Sequence, residues 1–249
     1  MNTVLTLKNI KKSFRDEGTR PTQALADIDL TVHENEFVTI LSASGSGKST
    51  LLRIIAGLIK PDSGEVLIYG KPPIPEEPQD AMVFQNFALL PYLTVSENIA
   101  FGLTMHDIPR RETSLIVRRL VEEMGLQGFE HNYPRELSGG MRQRVGIARA
   151  LAVSPKVLLM DEPFSSLDEI TSSKLRLEIL AVTKRLNQTV IMVTHRIDEA
   201  LLMADRLVIL TSRPGTVAAI IENTLPRPID KRSPAFFALE DRITSLIDQ

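Results

Sequence analysis

The segment Ser42-Ala43-Ser44-Gly45-Ser46-Gly47-Lys48-Ser49-Thr50 constrains this chain more than any other. It follows Glu36 to Leu41, a mainly apolar run fit for a buried strand. It precedes Leu51-Leu52-Arg53-Ile54-Ile55-Ala56-Gly57, an apolar helix closed by a glycine. A strand that feeds a Ser/Gly turn and then a helix aims backbone N–H groups and the positive helix end at one point, where they can wrap phosphate oxygens. Lys48 is placed to reach the β- and γ-phosphates of a nucleotide, and Ser49 to ligate Mg2+. Ser42 stands where the usual pattern has its first glycine, and it is strained there only if the backbone needs positive φ.

The rest of the chain alternates strands with helices. Ile28, Leu30 and Val32 alternate with Asp27, Asp29 and Thr31, a strand with one buried face. Pro61 to Gly64 is a turn before the strand Glu65 to Tyr69, and Ala81 to Gln85 is a short buried strand. Between them Pro72, Pro73, Pro75 and Pro78 make residues 71–78 a loop. From Thr94 to Leu151 the pattern turns helical: Thr94-Val95-Ser96-Glu97 is a capping box, and the helix Arg110 to Met124 stops at Gly125. Strand and helix then resume with Val157 to Met160, a helix after Asp168 carrying Leu175, Ile179, Val182 and Leu186 on one face, and the strand Val190 to Thr194. Such alternation implies a mostly parallel sheet covered on both sides, interrupted by a helical insertion. Residues 233–249 read as a capped helix whose Phe236, Leu239, Ile243 and Leu246 share one face, docked on the chain's own body or on a partner.

Composition narrows the possibilities. Lys plus Arg, 29, nearly balances Asp plus Glu, 31, so net charge gives no reason to expect nucleic acid as a partner. Cysteine is absent, which removes disulfides and thiolate metal sites and suits a reducing compartment. No run approaches the roughly 18 apolar residues that cross a bilayer, so a membrane role must come through a partner.

Two further motifs carry chemistry. Val157-Leu158-Leu159-Met160-Asp161-Glu162 is an apolar strand ending in two carboxylates. Beside a phosphate-binding turn, Asp161 suits a place near Mg2+, and Glu162 can take a proton from attacking water. Leu137-Ser138-Gly139-Gly140-Met141-Arg142-Gln143-Arg144 opens a helix with a serine and two glycines, a second anion-binding helix N-terminus.

One γ-phosphate served by two such ends is the pattern of the ABC-transporter ATPases, which the whole chain resembles. The resemblance implies a P-loop NTPase (RecA-like) α/β core with an antiparallel β-subdomain and an inserted α-helical subdomain. It divides one ABC domain over residues 1–249 into a core (1–88 and 155–225), a helical subdomain with the signature (89–154) and a tail (226–249). It further implies that Ser138, Gly139 and Gly140 of one subunit close on nucleotide held by residues 42–50 of another. Gln85 matches the Q-loop glutamine that contacts Mg2+ and the membrane partner, Ser166-Leu167-Asp168 the D-loop, and His195 the switch histidine that senses the γ-phosphate. Taken alone, His195 reads as a satisfied core histidine; it gains its role from the order of the motifs. Phe14 occupies the place of the aromatic that stacks on adenine, where tyrosine is more usual.

The same resemblance implies ATP and Mg2+ as ligands, with Ser49, Gln85 and Asp161 around the metal and Glu162, His195, Gln85 and Lys48 in catalysis. DNA-repair members of the family separate their motifs by long coiled coils, and translation-factor members usually carry two domains; this chain resembles neither. Met82 through Ile99, Met141, and Thr211-Ser212-Arg213-Pro214-Gly215 resemble nitrate, sulfonate and taurine importer ATPases. The partners implied are a second ATPase subunit, an integral membrane permease and an extracytoplasmic solute-binding protein, with the chain peripheral at the cytoplasmic face of the membrane.

Overall fold

A computed structural model describes residues 2–15, 21–73 and 80–247. In chain order the elements are β1 (Thr3–Phe14), β2 (Thr22–His33), β3 (Phe37–Leu41), α1 (Lys48–Ile55), β4 (Ser63–Ile68) and β5 (Asp80–Val83). Then come α2 (Val95–Met105), α3 (Arg110–Glu123), α4 (Gly139–Ala152), β6 (Val157–Asp161) and α5 (Glu169–Arg185). The chain continues through β7 (Thr189–Thr194), α6 (Ile197–Met203), β8 (Arg206–Leu210), β9 (Val217–Glu222) and α7 (Pro234–Ile247). The proline-rich loop expected over residues 71–78 lies outside the described residues beyond Pro73. Compactness divides the chain into two units, Met1–Gln79 with Thr189–Gln249, and Asp80–Gln188.

The first unit contains two kinds of sheet. An antiparallel one has the order β2-β1-β4, with Leu7 opposite Leu30 on one side and Val66 on the other. Ile28, Leu30 and Val32 are buried while Asp27, Asp29 and Thr31 are exposed, as the alternation predicts. The second kind places β7, β3 and β8 side by side and parallel, with β9 antiparallel at the edge. Every residue of β3 and of β7 is buried, and all but Thr39, Thr189 and Thr194 are apolar, as suits parallel strands covered on both faces. Leu41, Ala200, Leu201, Leu207 and Ile209 form a core with Phe236 and Ile243 of α7, and Leu239 and Leu246 pack against it. The terminal helix therefore docks on its own unit. Its start is held by Ser233 Oγ, which accepts the Phe236 N–H at 3.2 Å.

In the second unit β5 runs parallel to β6, with Met82 opposite Leu159. The capping box forms as the sequence predicts: Thr94 Oγ1 accepts the Glu97 N–H, and Glu97 Oε2 accepts the Thr94 N–H at 2.8 Å. Helix α2 meets α4 so closely at Gly102 that a Cβ there would lie 2.7 Å from a methyl carbon of Val153. On α5, Asp168 caps the start by accepting the Thr171 N–H at 2.9 Å, and Leu175, Ile179 and Val182 are buried. Leu186, expected on the same face, is only half-buried because the helix ends at Arg185.

Truncating Ile243, fully buried in the α7 contact, tests that docking. Ile243→Ala is expected to lower the unfolding free energy by about 2–5 kcal/mol in urea titration, the usual cost of such a core deletion. A change below about 0.5 kcal/mol, typical of a surface site, would place α7 off its own unit.

Candidate nucleotide-binding site

The phosphate loop belongs to the first unit. β3 delivers the chain into it and α1 receives it, with Gly45 at φ 82° and Gly47 at φ 95° in the left-handed region. Gly47 is glycine on a second ground, because a Cβ would lie 2.8 Å from the Ala24 carbonyl oxygen. The backbone at Ser42 is not left-handed, so serine there carries no strain. Its hydroxyl is buried in a short hydrogen bond with the Ser46 hydroxyl. Lys48, 4% exposed, donates from Nζ to Ser42 O at 2.9 Å, to Ala43 O at 2.8 Å and to Ser42 Oγ at 3.3 Å. A buried ammonium needs such acceptors, and these are the contacts that phosphate oxygens would replace. Ala43, Ser44 and Gly45 are exposed at the tip, while Ser49 and Thr50 are half-buried in the first turn of α1.

β3 and β7 pair in register, Leu41 opposite Thr194. The residues that follow them, Ser42 and His195, therefore leave the same end of neighbouring strands. The turn bearing His195 is fixed by Thr194 Oγ1, which donates to Glu199 Oε2 at 2.8 Å and accepts the Arg196 N–H at 3.1 Å. Burial alone would raise the Asp198 carboxyl, but hydrogen bonds from Arg196 and Lys231 hold it down at about 2. His195 itself is exposed. Phe14, at the end of β1, is 44% exposed, with Lys12 Nζ 5.7 Å from its ring centroid.

The second unit holds the remaining candidates. β6 is buried throughout and ends on Asp161, 4% exposed; Glu162 follows with φ 45°. A left-handed non-glycine residue at a strand end is a feature that clusters at functional sites. The Glu162 carbonyl accepts the Ser165 N–H at 3.2 Å and hydroxyl at 3.0 Å, and Gln85 Nε2 donates to that hydroxyl at 3.3 Å. Gln85 and Glu162 are thus joined through Ser165, a residue that the sequence motifs do not single out.

Ser138 caps α4 by accepting the Met141 N–H at 3.3 Å, and its side chain is exposed. The glycines behind it serve packing as well. A Cβ at Gly140 would lie 2.6 Å from the Thr171 methyl carbon, and one at Gly139 3.1 Å from Leu167 Cδ2. The signature thereby rests on the D-loop and the start of α5. Thr171 also holds the Asp168 carboxyl below the usual carboxylate range by hydrogen bonding.

Further along, α4 grips the segment after Gln85. Arg149 donates to Phe87 O at 3.1 Å and Ala88 O at 2.7 Å, the Arg142 guanidinium lies 5.5 Å from the Phe87 ring centroid, and Gly146 lets the Phe87 carbonyl approach. Phe87 and Ala88 are both left-handed, at φ 59° and 46°. The sequence reading missed this grip, although the spacing of 142, 146 and 149 marks one helix face.

Strand, phosphate loop and helix define a P-loop nucleotide-binding protein. The sequence profile described as ABC transporter matches residues 25–165, and the chain belongs to that family of ATP-hydrolysing subunits. An uncharacterised ABC transporter ATP-binding protein of Methanocaldococcus jannaschii is 44% identical over 247 residues, covering 99% of this chain and 92% of the relative. An aliphatic sulfonates import ATP-binding protein of Bacillus cereus is 41% identical over 239 residues, 96% and 94% of the two chains. A nitrate import ATP-binding protein of Synechococcus elongatus is 38% identical over 256 residues; the match takes in 100% of this chain and 39% of that longer protein. Among solved structures, a dimeric ATP-binding cassette in a post-hydrolysis state with ADP and Pi aligns at TM-score 0.76 and 33% identity, covering 88% of this chain and 98% of that one. The likeness carries the RecA-like P-loop fold expected from the sequence.

Because Ser42 is unstrained and hydrogen-bonded, Ser42→Gly brings no relief and loses buried contacts. Nucleotide titration is expected to show binding about twofold to tenfold weaker, the worth of one net hydrogen bond. Unchanged or tighter binding would show that the hydroxyl contributes nothing.

Proposed function

We propose that this chain is the ATP-hydrolysing motor of an ABC importer, working as a dimer beneath a separate membrane permease. The observation that carries the reading is the presence in one chain of two helix N-termini suited to anions, the phosphate loop before α1 and the serine cap with two glycines that opens α4. The loop N–H groups and Lys48 hold the β- and γ-phosphates, and Phe14 stacks on adenine. Ser138, Gly139 and Gly140 of a second subunit close on the γ-phosphate. Glu162 accepts the proton of the attacking water, His195 senses the γ-phosphate, and Gln85 links the site to the membrane partner. Ser49, Gln85 and Asp161 offer hydroxyl, amide and carboxylate oxygens, the donor type that Mg2+ takes, and would hold that ion. When bound, Mg2+ supplies neutralisation of phosphate charge.

Among the described residues no helix is long and apolar enough to cross a membrane, so contact with the bilayer falls to the permease. The segment after Gln85 supports such docking: Tyr92 is 70% exposed, with Leu89 and Leu90 half-buried nearby. Exposed aromatic anchors of this kind usually dominate an interface. The half-buried Phe87 ring is engaged by the Arg142 guanidinium, 5.5 Å from its centroid, which leaves Tyr92 as the more accessible anchor. Likeness to the sulfonate and nitrate relatives supports a small anionic or zwitterionic solute of the nitrate, sulfonate or taurine type. An extracytoplasmic solute-binding protein would deliver it, and the chain would sit at the cytoplasmic face.

Glu162→Gln keeps the shape of the side chain but cannot take a proton. Steady-state ATP turnover is expected to fall about 10²–10⁴-fold, while ATP binding persists and an ATP-dependent dimer accumulates in size-exclusion chromatography. Turnover near wild type would remove Glu162 from the role of base.

A further inference from the structure

The turn from Thr211 to Thr216, between β8 and β9, lies against the outside of the phosphate loop and touches two consecutive peptides of it. Arg213 Nε donates to Gly45 O at 3.2 Å. That carbonyl shares its peptide unit with the Ser46 N–H. The next carbonyl, Ser46 O, approaches Gly215 so closely that a Cβ there would lie 2.3 Å from it. Gly215 has no left-handed backbone to require glycine, so close approach alone accounts for the residue.

The turn is anchored independently of the loop. The Gly215 N–H donates to Ala24 O and the Ala26 N–H donates to Gly215 O, both at 2.9 Å. Thr211 Oγ1 donates to Pro214 O and accepts the Thr216 N–H, each at 2.9 Å. Ala24 and Leu25 are also the groups against which Gly47 is seated. The start of β2, this turn and the phosphate loop therefore form one stack.

In a peptide unit the carbonyl points away from the N–H. A peptide that turns its N–H to a phosphate therefore turns its own carbonyl outward, as the Gly45 and Ser46 carbonyls do toward this turn. A cationic donor on such a carbonyl fixes the rotation of the peptide and polarises its N–H toward the anion. We propose that Arg213 and Gly215 are positioning residues for phosphate binding, holding the Gly45–Ser46 and Ser46–Gly47 peptides with their N–H groups turned to the nucleotide. The inference rests on the nucleotide-binding reading of the loop. Arg213 acts through Gly45 and does not itself touch the ligand.

The test titrates the full chain with ADP and with ATP, and records thermal unfolding without nucleotide. Arg213→Ala is expected to weaken both nucleotides about threefold to tenfold, the range of one net hydrogen bond at an exposed site, with the unfolding temperature unchanged. Arg213→Lys keeps a cationic donor for a single acceptor and is expected within about twofold of wild type. Gly215→Ala must displace the Ser46 carbonyl and is expected to weaken binding further than Arg213→Ala. Wild-type affinity in Arg213→Ala for both nucleotides would overturn the inference. So would a loss of affinity that only follows a fall in unfolding temperature. A wild-type chain that binds neither nucleotide would overturn the nucleotide reading itself.

Discussion

Backbone N–H groups can be aimed at one anion only if the strand that feeds them ends in a fixed place. In this chain that place is set by the parallel pairing of β3 with β7, Leu41 opposite Thr194. Both strands are buried throughout, so a slip in register would bring polar residues under the sheet and is strongly disfavoured. The pairing puts Ser42 and His195 at one end of neighbouring strands. It also brings Leu41 into the core that receives α7. The interior of the loop is then closed by the buried Lys48 ammonium among its carbonyls.

A comparable economy governs the second unit, where α4 has three tasks along its length. Its start presents Ser138 and the glycines, Gly139 and Gly140 seat the D-loop and the start of α5, and Arg142, Gly146 and Arg149 hold the segment after Gln85. One rigid helix thus links the group proposed to meet a partner's nucleotide with the segment proposed to meet a permease. Side chains packed on a single helix move as a body, which gives such a link a physical basis.

Much of this was legible in the sequence because the informative signals were local. The strand-turn-helix around Lys48, the capping box at Thr94, the cap at Asp168 and the helix stop at Gly125 each depend on residues within a few positions. What escaped notice depends on contacts across long separations or on weak local signals. Helix α6 is short and has no side-chain cap hydrogen bond. Ser42 could be judged only once its φ and its bond to Ser46 were in view. Arg149 and Arg213 have carbonyl partners far off in sequence, at Ala88 and Gly45, and periodicity carries no trace of them. The docking of α7 was undecided in the sequence because an apolar face does not name its partner.

In the proposed dimer each nucleotide site is completed by a second subunit. That completion is tested most directly in a heterodimer of one Ser138→Arg chain and one Lys48→Ala chain, trapped with Mg-ATP. If phosphate loop and signature act across the interface, one site carries neither defect and the other carries both, so one nucleotide should be retained per dimer. If they act within one chain, each site is damaged once, and a count of no retained nucleotide would contradict the account.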